Sequence, residues 1–471
     1  MNPGEYKKAS TYYLIGNVFN KGIAFLTVPV FTRILSTTDY GIVTTYNSWI
    51  GILAMIMGFA LHMGIRMAFV DYKDEINNFM SSVVLFTLIS SFGLVLIVSL
   101  ITILLQIDIN ILLIILCMLH AVSTALIEDY TQCLMMQYRY KSRTALMLLP
   151  NLISVVLSIV AILFVFESDK YFGRIIPTAL VNVIFGLILT VLIVKKGKFA
   201  INFKHIKYGF SISAPLIVHG IALNVLSQSD RTMITWLSDA SQTGIYSLIY
   251  NFSMIATVIT TTLEGVWIPW FTNKMEKGER QEINKLSVDY INLMTYAMGC
   301  LILVAPEIVK LLADKSYWEG ITIVPPVVLS NFVIFSYSLY VNVEHYHKKT
   351  IYITINTLIA ATINIVLNYI LIPQYGYVAA AYTTLVAYLV SFVLHSNYAK
   401  KLQCDLYPLK NFIRPIIHLV VLTAVYYFLI DCAIIRWIIM FIYFAMMLVK
   451  EHKRIFEFFP EVENKLFKKD V

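Results

Sequence analysis

KKGKFAINFKHIKYG, residues 195–209, is the longest polar break inside an otherwise apolar chain, and Lys195, Lys196, Lys198, Lys204 and Lys207 make it strongly basic. Read backwards from it, six apolar runs precede it, at about 11–35, 41–69, 80–105, 111–136, 144–166 and 174–194. Read forwards, eight follow, at about 210–236, 243–271, 287–312, 320–344, 350–372, 376–398, 414–430 and 433–449. Most reach the roughly 20 residues that a helix needs to cross the hydrocarbon core. They are continuous rather than alternating every second residue, which excludes a membrane β-barrel. The expected fold is an all-α integral membrane protein with fourteen transmembrane helices.

Composition agrees. The 471 residues are 59% hydrophobic and 14% charged, with mean hydropathy +0.74, whereas soluble domains carry about 25% charged residues. The cations collect on alternate connections: Arg139, Lys141 and Arg143; the 195–209 break; Lys274, Lys277, Arg280 and Lys285; Lys348 and Lys349; Lys400, Lys401, Lys410 and Arg414. The connections between them are short and acidic, with Asp39, Asp108, Glu167, Asp169, Asp239, Asp314, Glu319 and Asp431. Insertion keeps Lys and Arg on the cytoplasmic side. The expectation is therefore a multi-pass protein of the bacterial cytoplasmic (inner) membrane with both termini in the cytoplasm.

The net charge of +8 does not imply nucleic acid, because the basic residues occupy short loops rather than one patch. Membrane lipids with anionic headgroups are the expected partners of those loops. The run 11–35 is too long for a signal-peptide core and should remain as the first span. Cys117, Cys133, Cys300, Cys404 and Cys432 form neither a disulfide framework nor a metal-spacing motif. The tail from Lys450 to Val471 mixes Phe with Lys and reads as an interfacial segment or a solvated tail.

The two halves echo each other. Leu35-Ser36, Gly41-Ile42 and Tyr46-Asn47 match Leu237-Ser238, Gly244-Ile245 and Tyr250-Asn251, one residue looser each time. Six spans is an even number, so the second copy enters the membrane in the same orientation, as in two-lobed transporters. The expected domains are an N-lobe at 1–208, a C-lobe at 209–400, and two further helices with a basic tail at 401–471.

Ionisable residues within spans are costly and usually mark a watered cavity. Lys21 lies ten residues into the first span, and Asn17 and Asn20 share its polar face. Arg66 sits near the inner end of span two with His62 one turn earlier, placed either to line a cavity or to reach headgroups. Arg33, near the outer end of span one, either guards a mouth or anchors the interface. Asp230 and Arg231 are consecutive in span seven and point about 100° apart, so they are not each other's partner, and one should face a cavity while the other pairs elsewhere. Glu128, Asp129, Asp230 and Glu264 are candidate proton or sodium sites, or neutralise nearby cations. Glu344 and His345 read as ordinary loop residues at an inner boundary. No nucleotide-binding loop, metal cluster or pair of outer carboxylates is present, and His345 with His347 sits in a basic loop unsuited to ligation. No cofactor and no enzyme activity are expected.

Three stretches resemble the oligosaccharide flippase branch of the multidrug/oligosaccharidyl-lipid/polysaccharide exporter superfamily. They are NVFNKGIAFLTVPVFTRILSTTDYGI (Asn17–Ile42), SDRTMITWLSDASQTGIYSLIYNFS (Ser229–Ser253) and NYILIPQYGYVAAAYTTLVAY (Asn368–Tyr388). The resemblance implies two pseudo-symmetric six-helix lobes around a central cavity, followed by two C-terminal helices. It implies translocation, by alternating access, of an undecaprenyl-pyrophosphate-linked oligosaccharide for O-antigen, capsule or exopolysaccharide synthesis. Lys21, Arg66 and Arg231 would line a basic cavity for the pyrophosphate. Coupling to an H+ or Na+ gradient, and a polysaccharide polymerase and chain-length regulator as partners, belong to the same expectation. The alternatives are a lipid II flippase, a multidrug cation antiporter and, from a different class, a membrane polysaccharide polymerase or glycosyltransferase. The short outer connections argue against the last.

Overall fold

A membrane-embedded backbone must satisfy its own N–H and C=O groups, and apolar runs of this length do so as helices. The computed structural model describes residues 19, 22–23, 25–106 and 110–458, and among these it contains helices, turns and no strand. Among the described residues, eleven helical segments are long and apolar enough to cross a membrane.

In the first half α1 covers Phe25–Ile34, α2 Thr37–Met57, α3 His62–Asp71, α4 Ile76–Leu104, α5 Ile111–Met136, α6 Tyr140–Phe164, α7 Lys170–Lys196 and α8 Phe203–Leu237. In the second half α9 covers Ala240–Phe252, α10 Met254–Glu276, α11 Arg280–Leu312, α12 Val324–Tyr346, α13 Thr350–Leu402, α14 Lys410–Phe428 and α15 Ala433–Phe458. The runs read from sequence map onto these helices, with α2 and α3 sharing span two and α9 and α10 sharing span eight. The 53 residues of α13 are two helices folded back at Gly376 (φ 57°, ψ −145°), and so account for spans eleven and twelve.

Several boundaries differ from the sequence reading. The basic break shrinks to residues 197–202, because α7 runs on to Lys196 and α8 already starts at Phe203. Asn202 caps α8 by accepting the Lys204 N–H at 3.0 Å. The tail begins as a continuation of α15, which reaches Phe458; residues 459–471 lie outside the described ones.

Local chemistry fixes the ends. Ser36 and Asp39 form a reciprocal capping box at the start of α2. The same Asp39 accepts the Tyr171 N–H at 3.1 Å, tying the first turn of α7 to it. Span two then breaks between α2 and α3, where Phe59 (φ 52°) and Ala60 (φ 46°) both take left-handed backbone. Side chains from other helices meet the freed carbonyls: Ser213 donates to Ala60 at 3.0 Å and Ser91 to Met57 at 3.4 Å.

The chain divides into two compact units, Met1–Ser247 with Ile372–Tyr377, and Leu248–Leu371 with Val378–Val471. The first has a core of Met57, Leu61, Ile65, Phe79, Val83, Ala121, Ala125 and Ile193. Lipid tails are as apolar as these side chains, so close approach through small residues does much of the packing. Gly58 shows this, since a Cβ there would lie 2.5 Å from the Ala125 methyl. In the second unit Tyr296, Leu303, Leu422, Met440 and Tyr443 cluster. Beside them Arg436 is fully buried, bonded to Glu307 at 2.5 and 3.1 Å and to the carbonyls of Leu303, Leu429 and Ile430. All five cysteines are free.

Candidate functional site

Polar residues at helical spacing build a seam in the first unit. On α2, Gly41, Thr44, Thr45, Ser48 and Gly51 recur every three or four residues and therefore share a face. Thr37 and Ser241 hydroxyls meet at 2.6 Å, Thr44 and Ser247 at 3.0 Å, Thr45 and Thr235 at 2.7 Å, and Ser48 and Thr232 at 3.3 Å. Glycines allow the approach. A Cβ on Gly41 would fall 1.7 Å from the Ala240 carbonyl oxygen, and one on Gly51 would fall 2.9 Å from Asn224 Oδ1. The two segments matched by the sequence repeat thus pack on each other.

Asp230 and Arg231 sit beside this seam, both buried. Asp230 accepts the Tyr246 hydroxyl at 2.5 Å. Arg231 donates to Gln228 Oε1 at 2.8 Å and to the Ser227 carbonyl at 3.4 Å.

The helix break orients a second group. Beyond it, α3 presents His62 and Arg66 one turn apart to α5, which presents Glu128 and Gln132 at the same spacing. His62 Nδ1 lies 3.9 Å from Glu128 Oε2, and Arg66 Nε donates to Gln132 Oε1 at 3.1 Å. The Arg66 side chain is exposed, and its two terminal nitrogens carry no hydrogen-bond partner among the described residues. A guanidinium left with two parallel donors matches a phosphate or carboxylate. Next to Glu128, Asp129 is 2% exposed and its Oδ2 lacks a hydrogen-bond partner among the described residues. Arg33 donates to the Pro29 carbonyl at 2.8 Å and is exposed.

In the second unit Glu264 is half-buried on α10. A cavity of about 650 Å³ lies between α10 and the end of α12, lined by Phe271, Thr272, Glu276, Asn342, His345 and Tyr346, with Lys348 beyond. Asn342 Nδ2 has no hydrogen-bond partner among the described residues. Where α13 folds back, Asn368 donates to Asn364 at 3.2 Å, Asn364 donates to Thr384 at 3.1 Å, and Thr383 bonds Asn368. Glu344 corrects the sequence reading. It is no loop residue but a fully buried one, paired with His395. Tyr340, four residues and about one turn earlier, shares the packed face of α12 with it, and the helix extends past the expected boundary.

Lys21, Asn17 and Asn20 lie outside the described residues. His62, Arg66 and Glu128 come together with Asp129 the next residue on α5, while Asp230, Arg231 and Arg33 bond to other partners. Gln132 was missed, although its place four residues after Glu128 on one helix face signals it. So was Arg174, which bonds Ser158 at 3.2 Å and covers the Phe31 ring at 4.2 Å; it lies so near a span end that it reads as an anchor. No group of three or more His, Cys, Asp or Glu residues able to hold a metal occurs among the described residues.

Residues 7–275 match the model of a family described as polysaccharide biosynthesis protein. A curated relative from Haloferax volcanii, named Probable low-salt glycan biosynthesis flippase Agl15, is 25% identical over 212 residues, 42% of this chain and 43% of that protein. The match therefore spans less than half the length of that relative. Among solved structures, the lipid II flippase MurJ in an inward closed conformation superposes with TM-score 0.69 at 16% identity, over 94% of this chain and 99% of that one. An inward-facing multidrug resistance MATE family transporter of the MOP superfamily superposes with TM-score 0.57 at 14% identity, over 84% and 99%. An outward-facing one gives 0.54 at 13%, over 85% and 96%. At such identities the likeness is one of fold.

Proposed function

Because the chain belongs to the polysaccharide biosynthesis protein family, we propose that it is a flippase, a transporter and not an enzyme, for lipid-linked glycans. The substrate is an undecaprenyl-pyrophosphate-linked oligosaccharide repeat unit, and the setting is the cytoplasmic membrane with both termini inside. The head crosses as the helices alternate access, and the polyprenyl tail stays in the bilayer.

The observation that carries this reading is Arg66. A cation on a broken membrane helix, held at Nε by Gln132 and open at both terminal nitrogens, offers a bidentate contact to a pyrophosphate. Charge-assisted bonds of that kind contribute about 1.5–3 kcal/mol each. The pyrophosphate gains compensation in a layer of low dielectric, and the modest energy lets it leave. In the second unit, the cavity between α10 and the end of α12 is lined by Tyr346, Asn342, Glu276 and Lys348, a mixture suited to sugar hydroxyls.

A lipid II flippase is the second reading, favoured by the extent of the fold match to MurJ; the family match favours the oligosaccharide. Reconstituted liposomes separate the two. A lipid-linked oligosaccharide loaded in one leaflet should become accessible to an added glycosidase, and lipid II should not. Arg66→Ala should slow the transfer roughly 10-fold or more, given about 1.4 kcal/mol per factor of ten, and Arg66→Lys less. Full activity of Arg66→Ala would overturn the assignment.

A further inference from the structure

Glu344 on α12 and His395 in the second arm of α13 form an ion pair sealed from solvent. His395 Nδ1 lies 3.1 and 3.0 Å from the two carboxylate oxygens, and the side chains are 1% and 0% exposed. Among the described ion pairs it is the one with both partners sealed. His62–Glu128 and His205–Glu75 each leave their carboxylate more than half exposed, and Arg436–Glu307 cannot lose its proton near neutral pH.

We propose that Glu344 and His395 together bind one exchangeable proton, and that this proton couples translocation to a proton gradient. The proposal rests on the flippase reading for its second half only. With one proton shared, the pair is neutral overall. Remove it, and a lone negative charge remains in a dry interior, which costs several kcal/mol unless the surroundings rearrange. The proton therefore leaves only when the helices open the site, and a differential affinity of that kind is what couples an ion to a conformational change.

The surroundings fit a proton rather than a metal. Among the described residues no Lys or Arg pairs with either one. Tyr337 on α12 stacks on the His395 ring, 5.5 Å between centroids and 16° from parallel, and Tyr388 on α13 stacks on Tyr337 at 6.3 Å. His345 on α12 and Tyr398 on α13 lie within electrostatic reach of Glu344. On α10, Glu264 lies within reach of Tyr337. The aromatic walls around the pair leave few oxygens for a sodium ion.

The full-length protein in liposomes carrying the lipid-linked oligosaccharide tests both halves. A gradient of one pH unit, worth a factor of about ten, should speed wild-type transfer several-fold. Glu344→Gln and His395→Gln should remove that response while keeping the gradient-free rate within about threefold, which is below 1 kcal/mol. A wild-type-like response in Glu344→Gln, or a wild-type rate that follows sodium and ignores pH, would overturn the coupling. Infrared difference spectra of wild-type liposomes between about pH 5 and 8, the range in which His changes charge, read the proton directly. A carboxyl or imidazole band absent from His395→Gln supports the pair; spectra identical in both overturn it, even if no glycan moves and the flippase reading itself has failed.

Discussion

Gly41 on α2 and Gly244 on α9 lie backbone to backbone, so that a Cβ on Gly244 would fall 2.1 Å from the Thr37 carbonyl oxygen and 3.2 Å from the Gly41 amide nitrogen. They are the paired positions of the sequence repeat. The obstructing atoms are main chain, and neither helix can yield by turning a side chain.

Gly41→Ala should therefore separate the helices. Overpacking costs about 1–3 kcal/mol, and the Thr44–Ser247 and Thr45–Thr235 bonds beside it would stretch. Thermal unfolding of the purified protein should show a lowered midpoint, and Thr44→Val a smaller loss. An unchanged midpoint for Gly41→Ala would mean that the seam opens freely.

Arg436 has both terminal nitrogens on Glu307. Arg436→Ala leaves the 27%-exposed carboxylate without its cation and should cost about 3–5 kcal/mol, whereas replacing both partners by Met should restore much of it. Detergent-resistant yield and unfolding midpoint check the ordering: double variant above single.

Gly376 turns α13 with φ 57° and ψ −145°, a region that L side chains avoid at about 1–3 kcal/mol. A Cβ there would also meet Gln242 Oε1, which accepts the Tyr377 N–H at 3.0 Å. Gly376→Ala should lower stability by that order, and Gln242→Ala alone by less. Proteolysis at the turn would report the loosening.

Between α10 and α11 the hydrogen bond from Lys274 holds the Glu279 carboxyl below its usual range. A depressed acid adds stability that is complete above the unfolded value, about 4.3, and is lost as pH falls through the folded one. Unfolding midpoints of wild type and Glu279→Gln should differ at neutral pH and converge as acid protonates the carboxyl. Divergence on acidification would reverse the sign of the interaction.

The helices were legible because apolar runs and basic connections are one-dimensional signals: the hairpin at Gly376 is announced by Pro373 and the basic loops on either side. Partnership was less so. Arg66 could be suspected as a charge within a span, one turn from His62, but Gln132 becomes its partner only once α3 and α5 are packed. Glu344 misled because it stands beside His345, His347 and Lys348, a loop-like neighbourhood, while its partner lies 51 residues away. Asp230 showed its cost in sequence but not Tyr246, since a Tyr near a span end reads equally well as an interfacial anchor. The break at Phe59 and Ala60 had only Gly58 to betray it.

That break has a mechanical meaning. Two left-handed residues midway across a membrane make span two a jointed limb instead of a rod. The lower segment has a seat of its own, with Leu61, Ile65 and Ala68 in the core, while the upper one is clamped at Gly41. A straight rod would tie the direction of His62 and Arg66 to that clamp; a knee sets it separately.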